Sequence, residues 1–438
     1  MSVRKRTWKT AKGETREAWV VAYSAADGSG KLKTHIETFV RKKDADERHA
    51  QVKVDVSKGV HTPLHRSITV AKAAIDWLAY VELEGIEKAT LANYRHLVNR
   101  HLVPRIGAER LAKLTTPRIN AFRDELLRTT CSRTLAGKVL RCLKSVIKDA
   151  KRRGNVAQNV ASDVTIKADK RAEGRLEVGT DIPTPAEVSK ILAAATGRRR
   201  PFLVTAVFTG LRSSELRGLR WEDVDLAKGE VHVRQRADRY NTIGRPKSQA
   251  GTRTVPIGPF VVNTLKEWRL ACPGRDTGRK DADGKPVREL HLVFPTGNGN
   301  VESRGNVLTG MLWPAQIAAG VTVLKLGDDG NPVTGDDGEQ VVKAKYPGLH
   351  ALRHFYASWC INRKVDGGLE LPAKVVQERL GHAHIAMTLD TYGHLFPRGD
   401  DGRELAEAEL RLIGGPARQG RDTKANHQTK TRVPSVSP

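Results

Sequence analysis

Between residues 67 and 154 apolar side chains recur every three or four positions through four successive segments, a period that calls for helices packed on one another. In SITVAKAAIDWLAYVEL (67–83), Val70, Ala74, Trp77, Leu78 and Val81 fall on one face. ATLANYRHLVNRHLVPRIG (89–107) repeats the pattern through Leu91, Tyr94, Leu97, Val98 and Leu102, and is expected to end before Pro104 and Gly107. TTPRINAFRDELLR (115–128) opens with Thr115 and Thr116 as caps and Pro117 in its first turn. SRTLAGKVLRCLKSVIKDAKRRG (132–154) makes a fourth helix, stopped at Gly154.

The flanks of this bundle read differently. AWVVAYSA (18–25) and THIETFV (34–40) are β-rich runs around the turn-prone DGSG (27–30), and KDADERHAQVKVDV (43–56) follows as a helix started near Asp44. Residues 56–67, with Gly59 and Pro63, and the charged, aperiodic stretch 168–185 read as linkers. From 184 to about 396 the pattern is mixed: strand-like GEVHVRQR (229–236) and TRTVPIG (252–258), with helices at 259–271, 350–362 and 371–381. LKLGDDGNPVTGDDGEQVVK (324–343) repeats GDDG and is expected to add a hairpin. Its acids do not have the ligand spacing of a calcium loop, so turn chemistry is the reading preferred. The polar tail after Gly415 is expected to be disordered.

Charge narrows the partner. The chain has 75 Lys and Arg against 49 Asp and Glu, a formal charge of +26. Residues 1–66 hold 15 basic and 8 acidic side chains, and residues 67–175 hold 22 and 11, so +18 of that excess precedes residue 176. A sustained positive field over two segments is most commonly used to neutralise phosphates. No run of about 18 apolar residues is present to span a membrane. The basic start lacks an apolar stretch behind it, so no signal peptide is expected. Cys131, Cys142, Cys272 and Cys360 are dispersed with no C-x-x-C pair, which argues against a zinc ribbon or disulfide scaffold and fits a reducing cytoplasm.

Four stretches in the C-terminal half carry chemistry. TGLRSSELRGLRWEDVD (209–225) puts Arg212 at a helix start with Glu215 three residues on; the carboxylate can orient the guanidinium toward a phosphate, and an ordinary surface ion pair fits equally well. RPKSQAGTRTVPIG (245–258) places Lys247 on a loop between two strands, where a hairpin tip can push an ammonium into a groove. LHALRHFYASW (349–359) sets His350 and Arg353 on one helix face. ERLGHAHIAMTLDTYGHLF (378–396) has His382 after Gly381 and Tyr392 ten residues later. Alone, that His and that Tyr read as structural residues. His382 and His384 invite a metal reading, but no Cys or carboxylate set completes a site.

Taken in order, TGLRxSEL, HxxRH, LGH and TxxxYxH, behind a basic helical segment, resemble the tyrosine recombinase (phage integrase) family over about residues 67–397. The resemblance implies a multidomain chain: a small α+β N-terminal domain (1–60, three-stranded sheet plus helix) for arm-type DNA sites, an all-α helical, SAM-like core-binding domain (67–170), a mixed α/β, mainly helical catalytic domain (180–400), and a C-terminal segment with a disordered tail (401–438). The N-terminal domain favours an integrase of a mobile element over a Xer-type resolvase. The resemblance also implies Tyr392 as nucleophile, Arg212 and Arg353 on the phosphate oxygens, Lys247 as acid for the leaving 5′-oxygen, His350 as acid/base near the tyrosine, His382 as a hydrogen-bond donor to the phosphate, and Glu215 as a support. It implies double-stranded DNA and a homotetramer, with DNA-bending and directionality factors as further partners, no cofactor and no metal, and work in the cytoplasm of a bacterial host, associated with the nucleoid. The rival readings are a type IB topoisomerase-like enzyme and a DNA-binding protein without cleavage. Ala351 departs from the Asp that members often carry after the His of HxxR. ELAEAELRLIG (404–414) reads as an amphipathic helix that docks on a neighbouring protomer or on its own chain.

Overall fold

In the computed structural model, which describes residues 2–11, 13, 15–26, 32–57, 67–129, 132–167, 174–397 and 401–413, the chain divides into two units, Met1–Gly174 and Arg175–Pro438. The turn read at 27–30, residues 58–66 and 168–173 of the two linkers, and the tail beyond 413 lie outside the described residues.

The first unit holds two separate apolar clusters. Strands β1 (Ser2–Lys9), β2 (Thr15–Ala26) and β3 (Leu32–Phe39) form an antiparallel sheet with β2 in the middle. Because side chains alternate across a strand, Val21 and Tyr23 share one face, which α1 (Lys42–Ser57) covers with Ala45 and Val52. On that side Glu37 accepts from both Tyr23 Oη and Arg48 Nε, each at 2.8 Å. The register pairs Arg4 with Val20, Arg6 with Ala18 and Trp8 with Arg16, so Arg4, Arg6, Trp8 and Arg16 share the opposite face.

The helical part runs through α2 (Val70–Leu83), α3 (Lys88–Leu97), α4 (Val103–Ile106), α5 (Thr116–Arg128) and α6 (Arg133–Arg152). Thr115 caps α5 and Ser132 caps α6, each through its side-chain oxygen. The helix expected to end before Pro104 does not: a π-turn at Val98–Leu102 joins α3 to α4, and Pro104 lies inside α4. Proline cannot donate to the ladder and crowds the carbonyl a turn back, and the widened turn relieves both.

The second unit begins with α7 (Pro185–Ala194), capped reciprocally by Thr184 and Glu187, and continues through α8 (Arg199–Thr209) and α9 (Ser213–Gly218). Strands β4 (Val224–Asp225), β5 (Glu230–Val233) and β8 (Arg253–Pro256) make one sheet, in the order β4-β5-β8. Between β5 and β8 in sequence, β6 (Arg236–Ala237) and β7 (Ile243–Gly244) pair separately. Helix α10 (Pro259–Ala271) follows. The hairpin β9 (Arg275–Lys280) and β10 (Pro286–Glu289) was not read from the sequence. Helices α11 (Arg304–Val307) and α12 (Trp313–Ala318) flank a second π-turn at Leu308–Leu312, again just before a proline, Pro314.

The GDDG segment is a hairpin with an elaborated tip. Strands β11 (Thr322–Leu324) and β12 (Val342–Ala344) pair, and two smaller turns lie between them. Asp329 and Asp337 each accept a backbone N–H two residues on, the expected turn chemistry. Among the described residues no group of three or more His, Cys, Asp or Glu is placed to hold a metal ion.

Helices α13 (His350–Ile361), α14 (Ala373–Leu380) and α15 (Ile385–Tyr392) complete the core, and α16 (Asp401–Ile413) exposes Leu405, Leu410 and Leu412. Among the described residues no helix is long and apolar enough to cross a membrane.

Candidate active site

Arg212, His350, His382 and Tyr392 lie at the ends of helices, where the backbone leaves polar groups to be satisfied. Helix α8 stops at Gly210, whose φ of 59° is a left-handed conformation natural to glycine. A Cβ there would lie 2.3 Å from the Tyr356 ring, so the close approach also requires glycine. The chain then turns so that Arg212 precedes α9 in extended conformation. Glu215 Oε2 accepts from the Arg212 backbone N–H at 2.9 Å, and Oε1 accepts from its Nη1 at 2.8 Å.

Arg353 is buried on α13. Its Nη1 donates to Gly210 O at 2.7 Å and its Nη2 to Leu380 O at 2.6 Å. Arg212 Nη2 donates to Gly381 O at 3.1 Å, and Arg253 Nε donates to Arg379 O at 2.7 Å. Three consecutive carbonyls at the end of α14 therefore each receive a different arginine. A helix C-terminus carries partial negative charge, which favours cations gathered there. Glu215 supplies the full charge: its Oε2 also accepts from Arg253 Nη2 at 2.9 Å. Burial pushes the Glu215 pKa up, but Arg253 and then Arg212 outweigh it and leave the carboxyl below its ordinary value. Burial pushes the Arg353 pKa down and Arg212 adds to this, while Glu215 opposes.

Tyr392 ends α15 with 1% of its surface exposed. Burial pushes its pKa up to about 12, against the pull of Arg353 and Arg212. His354 Nδ1 lies 2.7 Å from the Tyr392 hydroxyl. The His382 ring is parallel to the phenol within 5°, centroids 6.5 Å apart, and its Nδ1 is 2.9 Å from Thr388 Oγ1. Burial first, then Arg353 and Arg212, lower the His382 pKa to about 4. His350 opens α13, exposed, with its ring edge-on to His354 at 4.6 Å. Loss of surrounding water, then the charges of Arg353 and Arg212, lower its pKa.

The fold thus brings Arg212, Glu215, His350, Arg353, His382 and Tyr392 into one cluster. Lys247 is exposed on the loop between β7 and β8. The two strands read on either side of it, β5 and β8, pair antiparallel, and Lys247 lies on their long connection, after the small β6–β7 hairpin. The turn that follows, Gln249–Gly251, abuts the cluster: a Cβ on Gly381 would meet Ala250 O at 2.9 Å. Ala351, at the position where the pattern often has Asp, is buried in the apolar core.

Three partners were missed. His354 stands four residues after His350, a spacing that puts both on one face and was visible in HxxRH. Thr388 was visible in TxxxYxH. Arg253 had no local signal: it sits in a strand, and only the tertiary fold brings it to Glu215.

The chain is similar to known proteins over most of its length. Residues 183–311 match the model described as the phage integrase family. A tyrosine recombinase XerC-like protein of Caldanaerobacter subterraneus subsp. tengcongensis is 26% identical over 375 residues, covering 82% of this chain and 87% of that protein. An integrase of Streptomyces ambofaciens is 26% identical over 389 residues, covering 86% and 90%. Among solved structures, the Tn1549 transposon integrase in complex with a circular intermediate DNA aligns with a TM-score of 0.57 at 20% identity, over 79% of this chain and 100% of that one. The lambda integrase tetramer bound to a Holliday junction aligns at 0.50 and 17% identity, over 86% and 95%. At these identities the structural likeness is one of fold.

Proposed function

We infer that this chain, a member of the phage integrase family of tyrosine recombinases, is a site-specific DNA recombinase that cuts and rejoins DNA through a 3′-phosphotyrosyl intermediate. The observation that carries the reading is a buried phenol, Tyr392, set against an imidazole and within the field of two guanidiniums. Tyrosine is a poor nucleophile at its ordinary pKa near 10 and needs both a proton acceptor and positive charge.

In this reading Tyr392 Oη attacks the scissile phosphorus, and the 5′-oxygen leaves. Arg212 and Arg353 present forks to the non-bridging oxygens and stabilise the charge that builds there. His382 donates a hydrogen bond to the same phosphate, and His350 acts as acid/base near the tyrosine. Lys247, two residues before the turn that abuts the cluster, protonates the departing 5′-oxygen. Glu215 holds Arg212 in place. The tyrosyl ester conserves the energy of the broken bond, so rejoining to another strand needs neither ATP nor a metal ion.

The layout follows from the same reading. Residues 180–400 form the catalytic domain and 67–170 the core-binding domain, and each binds the core site. Residues 1–60 bind separate arm sites through the sheet face with Arg4, Arg6 and Arg16, which favours an integrase of a mobile element over a Xer-type resolvase. The working form is a homotetramer on paired DNA sites passing through a four-way junction; the lambda integrase tetramer is bound to a Holliday junction. DNA-bending and directionality factors assist it, in the cytoplasm of a bacterial host at the nucleoid.

A nicked suicide substrate bearing the core site tests the reading. The wild-type protein is expected to be trapped covalently on DNA, and Tyr392→Phe is not. An adduct with Tyr392→Phe, or a need for Mg²⁺ in cleavage, overturns it. Supercoil relaxation without exchange between two labelled sites would instead favour a type IB topoisomerase-like activity.

A further inference from the structure

We propose that His354 is a catalytic residue of the tyrosine's own step: it holds the Tyr392 hydroxyl and takes up its proton as the phenolic oxygen attacks phosphorus. The proposal rests on the recombinase reading and assigns within it a role that HxxR alone gives to His350.

The geometry separates the two histidines. His354 Nδ1 and Tyr392 Oη are 2.7 Å apart, within the range of a strong hydrogen bond, with ring centroids 5.7 Å apart. His350, one turn earlier on α13, is exposed and meets His354 edge-on. It is the imidazole open to an incoming phosphate, whereas His354 is the one on the nucleophile. With its proton on Nε2, His354 offers the Nδ1 lone pair to the phenol.

Without DNA the electrostatics keep the proton on Tyr392. Burial, then His350 and Arg353, lower the His354 pKa to about 4, and Asp181 opposes them. The ring is therefore neutral at ordinary pH and free to accept. Among the described residues, His350, Arg353, Asp181 and Tyr392 are the titratable and charged groups that act on it. A DNA phosphate seated on Arg212 and Arg353 would offset part of the cationic field that disfavours an imidazolium. His354 thus becomes more basic when the substrate is in place.

The step balances. The O–H bond of Tyr392 breaks and its proton forms an N–H bond at His354 Nδ1. The oxygen lone pair forms the O–P bond, the P–O5′ bond breaks, and O5′ takes a proton from Lys247. On rejoining, the 5′-hydroxyl returns its proton to Lys247 and His354 returns its own to the tyrosine.

The experiment compares wild type, His354→Gln, His354→Ala, His350→Ala and Tyr392→Phe on the nicked core-site substrate between pH 4 and 9, with DNA binding and thermal unfolding followed in parallel. His354→Gln keeps a hydrogen-bonding side chain but accepts no proton. It is expected to bind DNA as wild type does, to form adduct about 10²–10⁴-fold more slowly, and to lose the limb along which the wild-type rate rises with pH. Added imidazole is expected to restore part of the rate to His354→Ala, while His350→Ala keeps the limb. Adduct formation by either His354 variant within a few-fold of wild type overturns the proposal. So does a slow variant that retains the limb and is not rescued, because that marks a structural role. Should neither variant fold, a wild-type rate flat from pH 4 to 7 overturns it, and a rising limb retained by His350→Ala supports it. An adduct with Tyr392→Phe would instead defeat the recombinase reading itself.

Discussion

Glu215 grips Arg212 twice, once at the guanidinium and once at its backbone N–H, so a single carboxylate both caps a short helix and aims a cation. The same side chain neutralises Arg253, and both members of that second pair are buried. Removing the charge therefore leaves two arginines competing for neutral acceptors.

Glu215→Gln is expected to destabilise the second unit by about 3–5 kcal/mol, the usual cost of breaking a buried ion pair. Adduct formation should fall with it. Denaturant unfolding checks the first expectation and the suicide substrate the second; unfolding unchanged from wild type would contradict the role given to this carboxylate.

Gly210→Ala tests the turn that holds Arg353. The left-handed φ and the Tyr356 ring 2.3 Å from the new Cβ both resist the change. A loss of about 1–3 kcal/mol is expected from the overpacking alone. Because Gly210 O is a partner of Arg353, the adduct rate should drop at temperatures where the variant remains folded.

Acid should loosen the second unit before it titrates ordinary carboxylates. His354 and His382 both have pKa values lowered to about 4, against about 6.5 in an unfolded chain. Between those values the unfolded chain binds protons that the folded site refuses. Their contribution is therefore fully present above about pH 6.5 and is lost as pH falls toward 4. The Tm at pH 5 is expected to lie several degrees below that at pH 7.5, and His382→Phe should narrow the difference.

The open face of the N-terminal sheet predicts a salt effect. If Arg4, Arg6 and Arg16 each meet a phosphate, replacing all three by alanine should reduce the slope of log K against log salt by about 2.7 for arm DNA. Cleavage of the isolated core site should be unaffected. An unchanged slope would place the arm contacts elsewhere.

Periodicity made the helices between 67 and 154 legible, because a repeated apolar face leaves little else to form. It did not reveal the π-turns before Pro104 and Pro314, which answer a local clash rather than a pattern. The site was legible where chemistry is compressed into short spacings, as in His350 with Arg353 or Arg212 with Glu215. Arg253 escaped notice because its meaning depends on a carboxylate 38 residues away. Lys247 was visible as a lysine between two strands that do pair, β5 and β8, but the two-residue strands of the β6–β7 hairpin within their connection are too short to leave a pattern.

The three carbonyls of Arg379, Leu380 and Gly381 have a consequence for control. Successive residues of a helix point about 100° apart, so one turn of backbone fixes the directions of three cations at once. Unwinding that turn would disarm Arg212, Arg253 and Arg353 together, whereas no single side-chain rotation could. The end of α14 is thus a single stretch of backbone on which the placement of all three cations depends.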